Sequence, residues 1–72
     1  MKFRFTYHAQ YRLYIKTYSI EEIKRTILKP DFESRLSDGK IVSDKTCNGR
    51  VLRVVYIQDQ NTSVIVSFYY LN

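Results

Sequence analysis

The stretch Tyr7-His8-Ala9-Gln10-Tyr11-Arg12-Leu13-Tyr14-Ile15-Lys16 predicts the helix around which the rest of the chain is organised. Its apolar residues recur at helical spacing and predict a stripe that packs on the core, made of Tyr7, Tyr11, Tyr14, Ile15 and Tyr18. Beside that stripe, His8, Arg12 and Lys16 share one helical face. We therefore expect a helix from Tyr7 to Thr17 that contacts the core through aromatic rings and presents a row of cationic side chains.

A second helix is predicted directly after the first. Ser19-Ile20-Glu21-Glu22 has the pattern of a capping box, in which the Ser19 hydroxyl accepts from the Glu22 amide and Glu22 reaches back to Ser19. Pro30 disfavours helical geometry at the residue before it, so the helix should run from about Ile20 to Leu28. Its predicted buried stripe contains Ile20, Ile23, Ile27 and Leu28.

After Pro30 the pattern becomes extended and predicts an antiparallel meander. Strands are expected over residues 32–36, 40–47, 51–57 and 63–70, with a tight hairpin at Asn48-Gly49 and another turn at Asp59-Gln60-Asn61-Thr62. Residues 2–6 alternate weakly and are compatible with either a short strand or an ordered lead-in. The sequence thus predicts one α+β domain over residues 1–72, with two N-terminal helices packed on a three- or four-stranded antiparallel sheet.

Alternation along the last two strands assigns their side chains to two faces. The face under the helices is predicted to hold Leu52, Val54, Tyr56, Val64, Val66 and Phe68. The opposite face should hold Val51, Arg53, Val55, Ile65, Ser67 and Tyr69. That second face mixes apolar and polar groups, which is typical of a surface that is only partly exposed.

Composition narrows the classes of function. Twelve Lys and Arg against seven Asp and Glu give a formal charge of +5, which favours RNA or DNA, an anionic membrane or an acidic protein as partner. The lone Cys47 and single histidine make a structural metal site improbable, and two glycines are too few for a phosphate-cradling loop, so we expect neither metal nor cofactor. Without a signal sequence or a membrane-spanning run, the chain is expected to be cytoplasmic with no membrane association.

Ribonuclease cleavage by the RNA's own 2′-hydroxyl is a chemistry that needs no metal, cofactor or glycine-rich loop. It needs a group that transfers protons, cations that stabilise the charged phosphorane, and a contact that holds the base. His8 suits the first task, because histidine ordinarily exchanges protons near neutral pH. Candidates for the second are Arg12, Lys16, Lys45, Arg50 and Arg53. Tyr56, Tyr69 and Tyr70 are candidates for stacking or for supplying a phenol.

The chain resembles the family of the domain of unknown function 4258, small proteins and toxin-like domains of bacteria and their phages. The resemblance covers nearly the whole sequence and rests on short pieces in the same order: His8-Ala9 with Arg12, Ser19-Ile20-Glu21-Glu22-Ile23, Pro30, Lys45, Gly49-Arg50, Leu52-Arg53-Val54-Val55-Tyr56 and Val64-Ile65-Val66-Ser67-Phe68-Tyr69. The family is similar in outline to the RelE and BrnT ribonuclease toxins. The resemblance implies a metal-independent ribonuclease, of the toxin–antitoxin or phage type, held inactive by an acidic antitoxin-like partner.

The resemblance also implies roles for individual residues. It makes His8 the acid/base, places Arg12 and Lys45 on the phosphate, and makes Ser67 a polar group at the end of the site. The sequence departs from the family pattern in three places. Lys16 replaces a second arginine, Thr17-Tyr18 stand where a glycine is usual, and Ser67 replaces a threonine. If the helices cover the Leu52 face, His8 would reach Arg53 and Ser67 only around a sheet edge, which favours a site that omits Ser67.

Two further functions agree with the same residues. One is a non-catalytic nucleic-acid-binding module, with Lys16, Arg50, Arg53 and Tyr69 among its RNA contacts. The other is a protein-interaction domain, because the strand from Val64 to Leu71 could offer an open edge to a partner or to a second copy. Catalysis, binding and strand pairing therefore remain three separate hypotheses.

Overall fold

The computed structural model describes residues 1–15 and 17–71, which form two helices and five strands. In chain order these are β1 (Lys2–Phe5), α1 (Tyr7–Ile15), α2 (Ile20–Leu28), β2 (Phe32–Arg35), β3 (Ile41–Cys47), β4 (Arg50–Asp59) and β5 (Thr62–Tyr70). The sheet has the order β1-β5-β4-β3-β2, and both helices contact the same face of it. The predicted two-layer α+β class with N-terminal helices is confirmed.

The sheet differs from the prediction in its number and direction of strands. Residues 2–5 form a full strand, and β1 pairs with β5 in parallel, whereas the other neighbours are antiparallel. The sheet is therefore five-stranded and mixed, where three or four antiparallel strands were expected. Because β1 pairs with β5 from Thr62 to Ile65, the expected open edge of the last strand is wrong over those residues.

The two tight turns formed as predicted. Asn48 and Gly49 both have positive φ, at 53° and 79°, which is the geometry of a two-residue hairpin between β3 and β4. Gln60 also has a positive φ of 55° in the turn between β4 and β5. Short connections of this kind fix the register of the strands that they join.

Side-chain caps set where the helices begin. The Thr6 hydroxyl accepts from the Ala9 amide at 3.3 Å at the start of α1, and the Ser19 hydroxyl accepts from the Glu22 amide at 3.2 Å at the start of α2. The limits of α2 match the prediction, although the Glu22 carboxylate accepts from the Asn48 side-chain amide at 3.3 Å. Described residues of α1 end at Ile15, and Lys16 lies outside them.

The predicted apolar stripe is confirmed at Tyr18, which packs on the core, and is wrong for its members within α1. Tyr7, Tyr11 and Tyr14 are 91, 61 and 89% exposed, whereas Ala9 is fully buried. Thr6 fixes this rotation, because its amide donates to the Ile65 carbonyl at 3.0 Å and its hydroxyl to the Val66 carbonyl at 3.4 Å. The helix is thereby anchored on β5 with its alanine side inward, and small Ala9 allows close approach.

The core lies between the helices and the sheet. Its buried members include Ile23 and Ile27 of α2 together with Leu52, Val54, Tyr56, Ile65 and Phe68. Ile20 and Leu28, expected in the same stripe of α2, are 45 and 55% exposed, and Thr26 is buried in their place. Burial of Tyr56 in the core excludes it from the stacking role considered above.

An irregularity in β5 overturns part of the predicted face assignment. Val55 pairs with Ser67 but Tyr56 pairs with Ile65, so Val66 is an extra residue in the ladder. Because of this extra residue, the β5 residues before Val66 lie on the faces opposite to those predicted. Ile65 joins the core, and Val64 moves to the face that the helices leave uncovered.

Candidate functional site

Two arginines and two tyrosines meet at one end of the helical layer. They come from α1 (Arg12), the connection between the helices (Tyr18), the start of β4 (Arg50) and the end of β5 (Tyr70). The Tyr18 and Tyr70 rings are stacked, with centroids 5.3 Å apart and 11° between planes. The Arg50 guanidinium carbon lies 3.8 Å from the Tyr70 centroid, and Arg12 Nη2 donates to the Tyr18 hydroxyl at 3.5 Å. We call these four residues the cation–aromatic cluster.

The core holds this cluster in place. Tyr18 packs edge-on against buried Phe68, with centroids 4.7 Å apart. Partial burial and the nearby Glu22 carboxylate raise the pKa of Tyr70, so its phenol is neutral at physiological pH. Within residues 1–15 and 17–71, neither Arg12 nor Arg50 forms an ion pair with a carboxylate. Both guanidinium charges are therefore available to an anionic ligand.

His8 is exposed on the first turn of α1, four residues before Arg12. That spacing corresponds to about 6 Å along the helix axis, on neighbouring positions of one face. Among the residues that the structure describes, His8 has no hydrogen-bond partner. The structure thus brings His8 and Arg12 onto one surface, as the spacing predicted, without fixing the imidazole by a second side chain.

The Lys45 side chain contacts the end of α2 and the residue after Pro30. Its ammonium donates to the Lys29 carbonyl at 2.9 Å and lies 3.8 Å from the Asp31 carboxylate. A cation at the C-terminus of a helix satisfies an unpaired carbonyl and interacts favourably with the helix dipole. Lys45 therefore has a structural role that sequence alone did not indicate.

Arg53, Ser67 and Tyr69 lie on the sheet face opposite the helices. Arg53 makes a two-point ion pair with Asp44, with Nε to Oδ1 at 2.8 Å and Nη2 to Oδ2 at 2.9 Å. The contact with Asp44 is the main cause that raises the pKa of Arg53, and a hydrogen bond with Tyr69 raises it further. The sheet therefore separates these three candidates from His8 and Arg12, as the strand alternation indicated.

The predicted site residues thus divide into separate groups. Arg12 and Arg50 meet in the cation–aromatic cluster, and His8 lies one helical turn from Arg12. Lys45 contacts the end of α2. Arg53, Ser67 and Tyr69 lie on the opposite face of the sheet. Lys16 falls outside the described residues. Sequence reasoning assigned Tyr18 to the core stripe and missed its bridging role; its position directly before the cap of the second helix was the available signal.

The described part of the chain contains no helix that is long and apolar enough to cross a membrane. The same residues contain no group of three or more His, Cys, Asp or Glu side chains placed to hold a metal ion.

Residues 5–70 match the family model described as a domain of unknown function, DUF4258. The chain belongs to this family. The family assignment made from the residues is confirmed, and all four members of the cation–aromatic cluster lie within the matched part of this DUF4258 chain. Comparison with curated proteins and with solved structures gave no match, so the outline similarity to RelE and BrnT toxins stays a prediction.

Proposed function

We propose that this DUF4258 domain binds RNA through the cation–aromatic cluster. The observation that supports this proposal is the pair of guanidinium groups, Arg12 and Arg50, held against a tyrosine stack without carboxylate partners among the described residues. Guanidinium groups match phosphate oxygens in charge and two-point geometry, and the Tyr70 ring holds the Arg50 guanidinium by a cation–π contact. RNA would place its backbone on the arginines.

The distribution of charge supports the same proposal. Residues 1–20 contain four Lys and Arg and no Asp or Glu, and they supply α1 and Tyr18. Positive charge concentrated in one segment attracts a polyanion and makes its binding dependent on salt. Glu22 is an acidic group that acts electrostatically on Tyr70 of the cluster, and its carboxylate accepts from the Asn48 side-chain amide.

Cleavage is the second candidate function, and the placement of His8 favours it. A phosphate on Arg12 would lie about one helical turn from the imidazole. His8 would remove the proton of the 2′-hydroxyl, whose oxygen attacks the adjacent phosphorus. The 5′-oxygen then leaves with a proton returned by His8 or water, and a 2′,3′-cyclic phosphate remains. The protein would then act as a cytoplasmic ribonuclease toxin, which an acidic antitoxin-like partner could restrain.

One time course separates the two candidates. Purified protein and its His8→Ala variant are incubated with total RNA in excess EDTA, and the product ends are analysed. Arg35→Gln serves as a control, because it changes an exposed cation of β2 at the far edge of the sheet. Cleavage would be established if wild type and Arg35→Gln produce cyclic phosphate ends and His8→Ala does not. Intact RNA in all samples would refute it.

Binding is measured on the same variants by a gel shift at low salt. We expect wild type and His8→Ala to retard RNA equally and Arg12→Gln to retard it less. If wild type fails to retard RNA at low salt, the proposal of RNA binding is wrong.

A further inference from the structure

One feature of the surface that the proposed function leaves unexplained is the row of tyrosines along α1. Tyr7, Tyr11 and Tyr14 are 91, 61 and 89% exposed, although their helical spacing predicted a buried stripe. They line a shallow groove of about 270 Å³ together with Gln10. The Gln10 side-chain amide donates to the Phe5 carbonyl at 2.9 Å, so this side of the groove is fixed to β1. The core is on the other side of the helix, where Ala9 is buried.

We infer that this tyrosine row is a stacking platform for the bases of single-stranded RNA. The inference rests on the proposed function, since it places the bases of a strand whose phosphates contact the cation–aromatic cluster. Rings at Tyr7, Tyr11 and Tyr14 are separated by about 6 Å and about 4.5 Å along the helix axis. Successive bases splayed from one strand could reach them in order.

Charge around the row favours a nucleic acid over a protein as the ligand. His8 and Arg12 flank the tyrosines on one side, and α1 contains no acidic residue. A polyanionic strand would therefore find positive charge beside aromatic rings, which is the combination found at single-strand binding surfaces. A helix–helix interface would instead favour aliphatic side chains at these positions, but the groove is lined by the three tyrosines and Gln10.

Single-stranded RNA is favoured over a duplex because the stacking faces of paired bases are already occupied. The arginines could contact phosphates of either form. The tyrosine row could contact bases only in an unpaired strand. Specificity for single strands would thus come from α1, while the cluster would supply the contribution common to both forms.

The test uses a fluorescein-labelled 12-nucleotide strand with 2′-O-methyl groups, which block attack by the 2′-hydroxyl, and a duplex made from the same strand. Tyr7→Leu and Tyr14→Leu remove the ring, and Tyr7→Phe and Tyr14→Phe are matched controls that keep it. Both positions are almost fully exposed, so these substitutions leave the core intact. Dissociation constants are measured by fluorescence anisotropy, and circular dichroism verifies folding.

Each leucine variant should bind the single strand about fivefold to about 150-fold more weakly, which is the range for one lost base–aromatic contact. The phenylalanine variants should match wild type, and duplex binding should be unchanged. Because the chain has no tryptophan, its intrinsic emission comes from tyrosine, and the single strand should quench it.

Three results would overturn the inference in distinguishable ways. If the leucine variants bind as wild type does while Arg12→Gln binds more weakly, the proposed function stands and the stacking platform is wrong. Equal weakening for strand and duplex would also refute base stacking. No binding of either form by wild type at low salt would refute the proposed function together with the inference.

Discussion

The salt dependence of RNA binding gives a direct count of the phosphates held by the cation–aromatic cluster. For single strands, each neutralised phosphate lowers the slope of log K against log salt by about 0.7. Arg12→Gln and Arg50→Gln each remove one guanidinium that has no carboxylate partner within the described residues. Each variant should therefore show a slope about 0.7 less negative than wild type, and the double variant a slope about 1.4 less negative.

The expected change in affinity follows from these slopes. Between 50 and 200 mM salt, one phosphate contact changes the association constant by about 2.6-fold, and two contacts change it by about sevenfold. The ratio of the wild-type association constant to that of a single variant should therefore fall about 2.6-fold between 50 and 200 mM salt, and the ratio to that of the double variant about sevenfold. The assay is fluorescence anisotropy with the 2′-O-methylated strand at five or more salt concentrations.

Arg35→Gln is the matched control, because it removes the same formal charge from an exposed position on β2. Its slope should remain close to that of wild type, since β2 lies at the sheet edge opposite β1. Equal slope changes for the Arg12, Arg50 and Arg35 variants would show that binding follows net charge alone. That result would refute the cluster as a phosphate site.

Further predictions concern the packing that positions the cluster. Ser19→Ala removes the cap of α2 and should lower the free energy of unfolding by about 1 kcal/mol. The thermal midpoint should then fall by about 4–8 °C, and an unchanged midpoint would contradict a stabilising cap. Phe68→Ala leaves a cavity beneath Tyr18 and should cost about 3–5 kcal/mol in urea unfolding, and a cost below about 1 kcal/mol would contradict its central place in the core. Burial raises the pKa of Tyr56 and Tyr70 in the folded state, so the unfolded chain loses these protons first. Stability should be retained below the ordinary tyrosine pKa of 10.0 and fall as pH rises above it, and Tyr56→Phe should reduce that fall in urea titrations between pH 8 and 11.

Local signals in the sequence determined the features that depend on neighbouring residues. Ser19 caps α2, and Asn48-Gly49 turns β3 into β4, because each motif satisfies backbone geometry within a few residues. The order of elements from α1 to β5 follows from the same kind of signal, whereas the sequence leaves the strand at residues 2–5 open. The shared face of His8 and Arg12 also follows from helical spacing alone.

Tertiary structure decided which side of each element meets the core. Helical spacing in α1 identified a tyrosine stripe, but hydrogen bonds from Thr6 to the Ile65 and Val66 carbonyls turned Ala9 inward and left the tyrosines exposed. Those partners are about 60 residues away in the chain, so no local pattern could reveal them. The parallel pairing of β1 with β5 has the same origin.

The candidate site shows the same division. The sequence determined which basic and aromatic residues the chain contains, and strand alternation assigned Arg53 and Ser67 to the same face of the sheet. Folding decided that Arg12 and Arg50 meet through Tyr18 and Tyr70, because the end of α1, the start of β4 and the end of β5 converge there. Sequence spacing determines faces within one element, whereas contacts between elements depend on how the helices pack on the sheet.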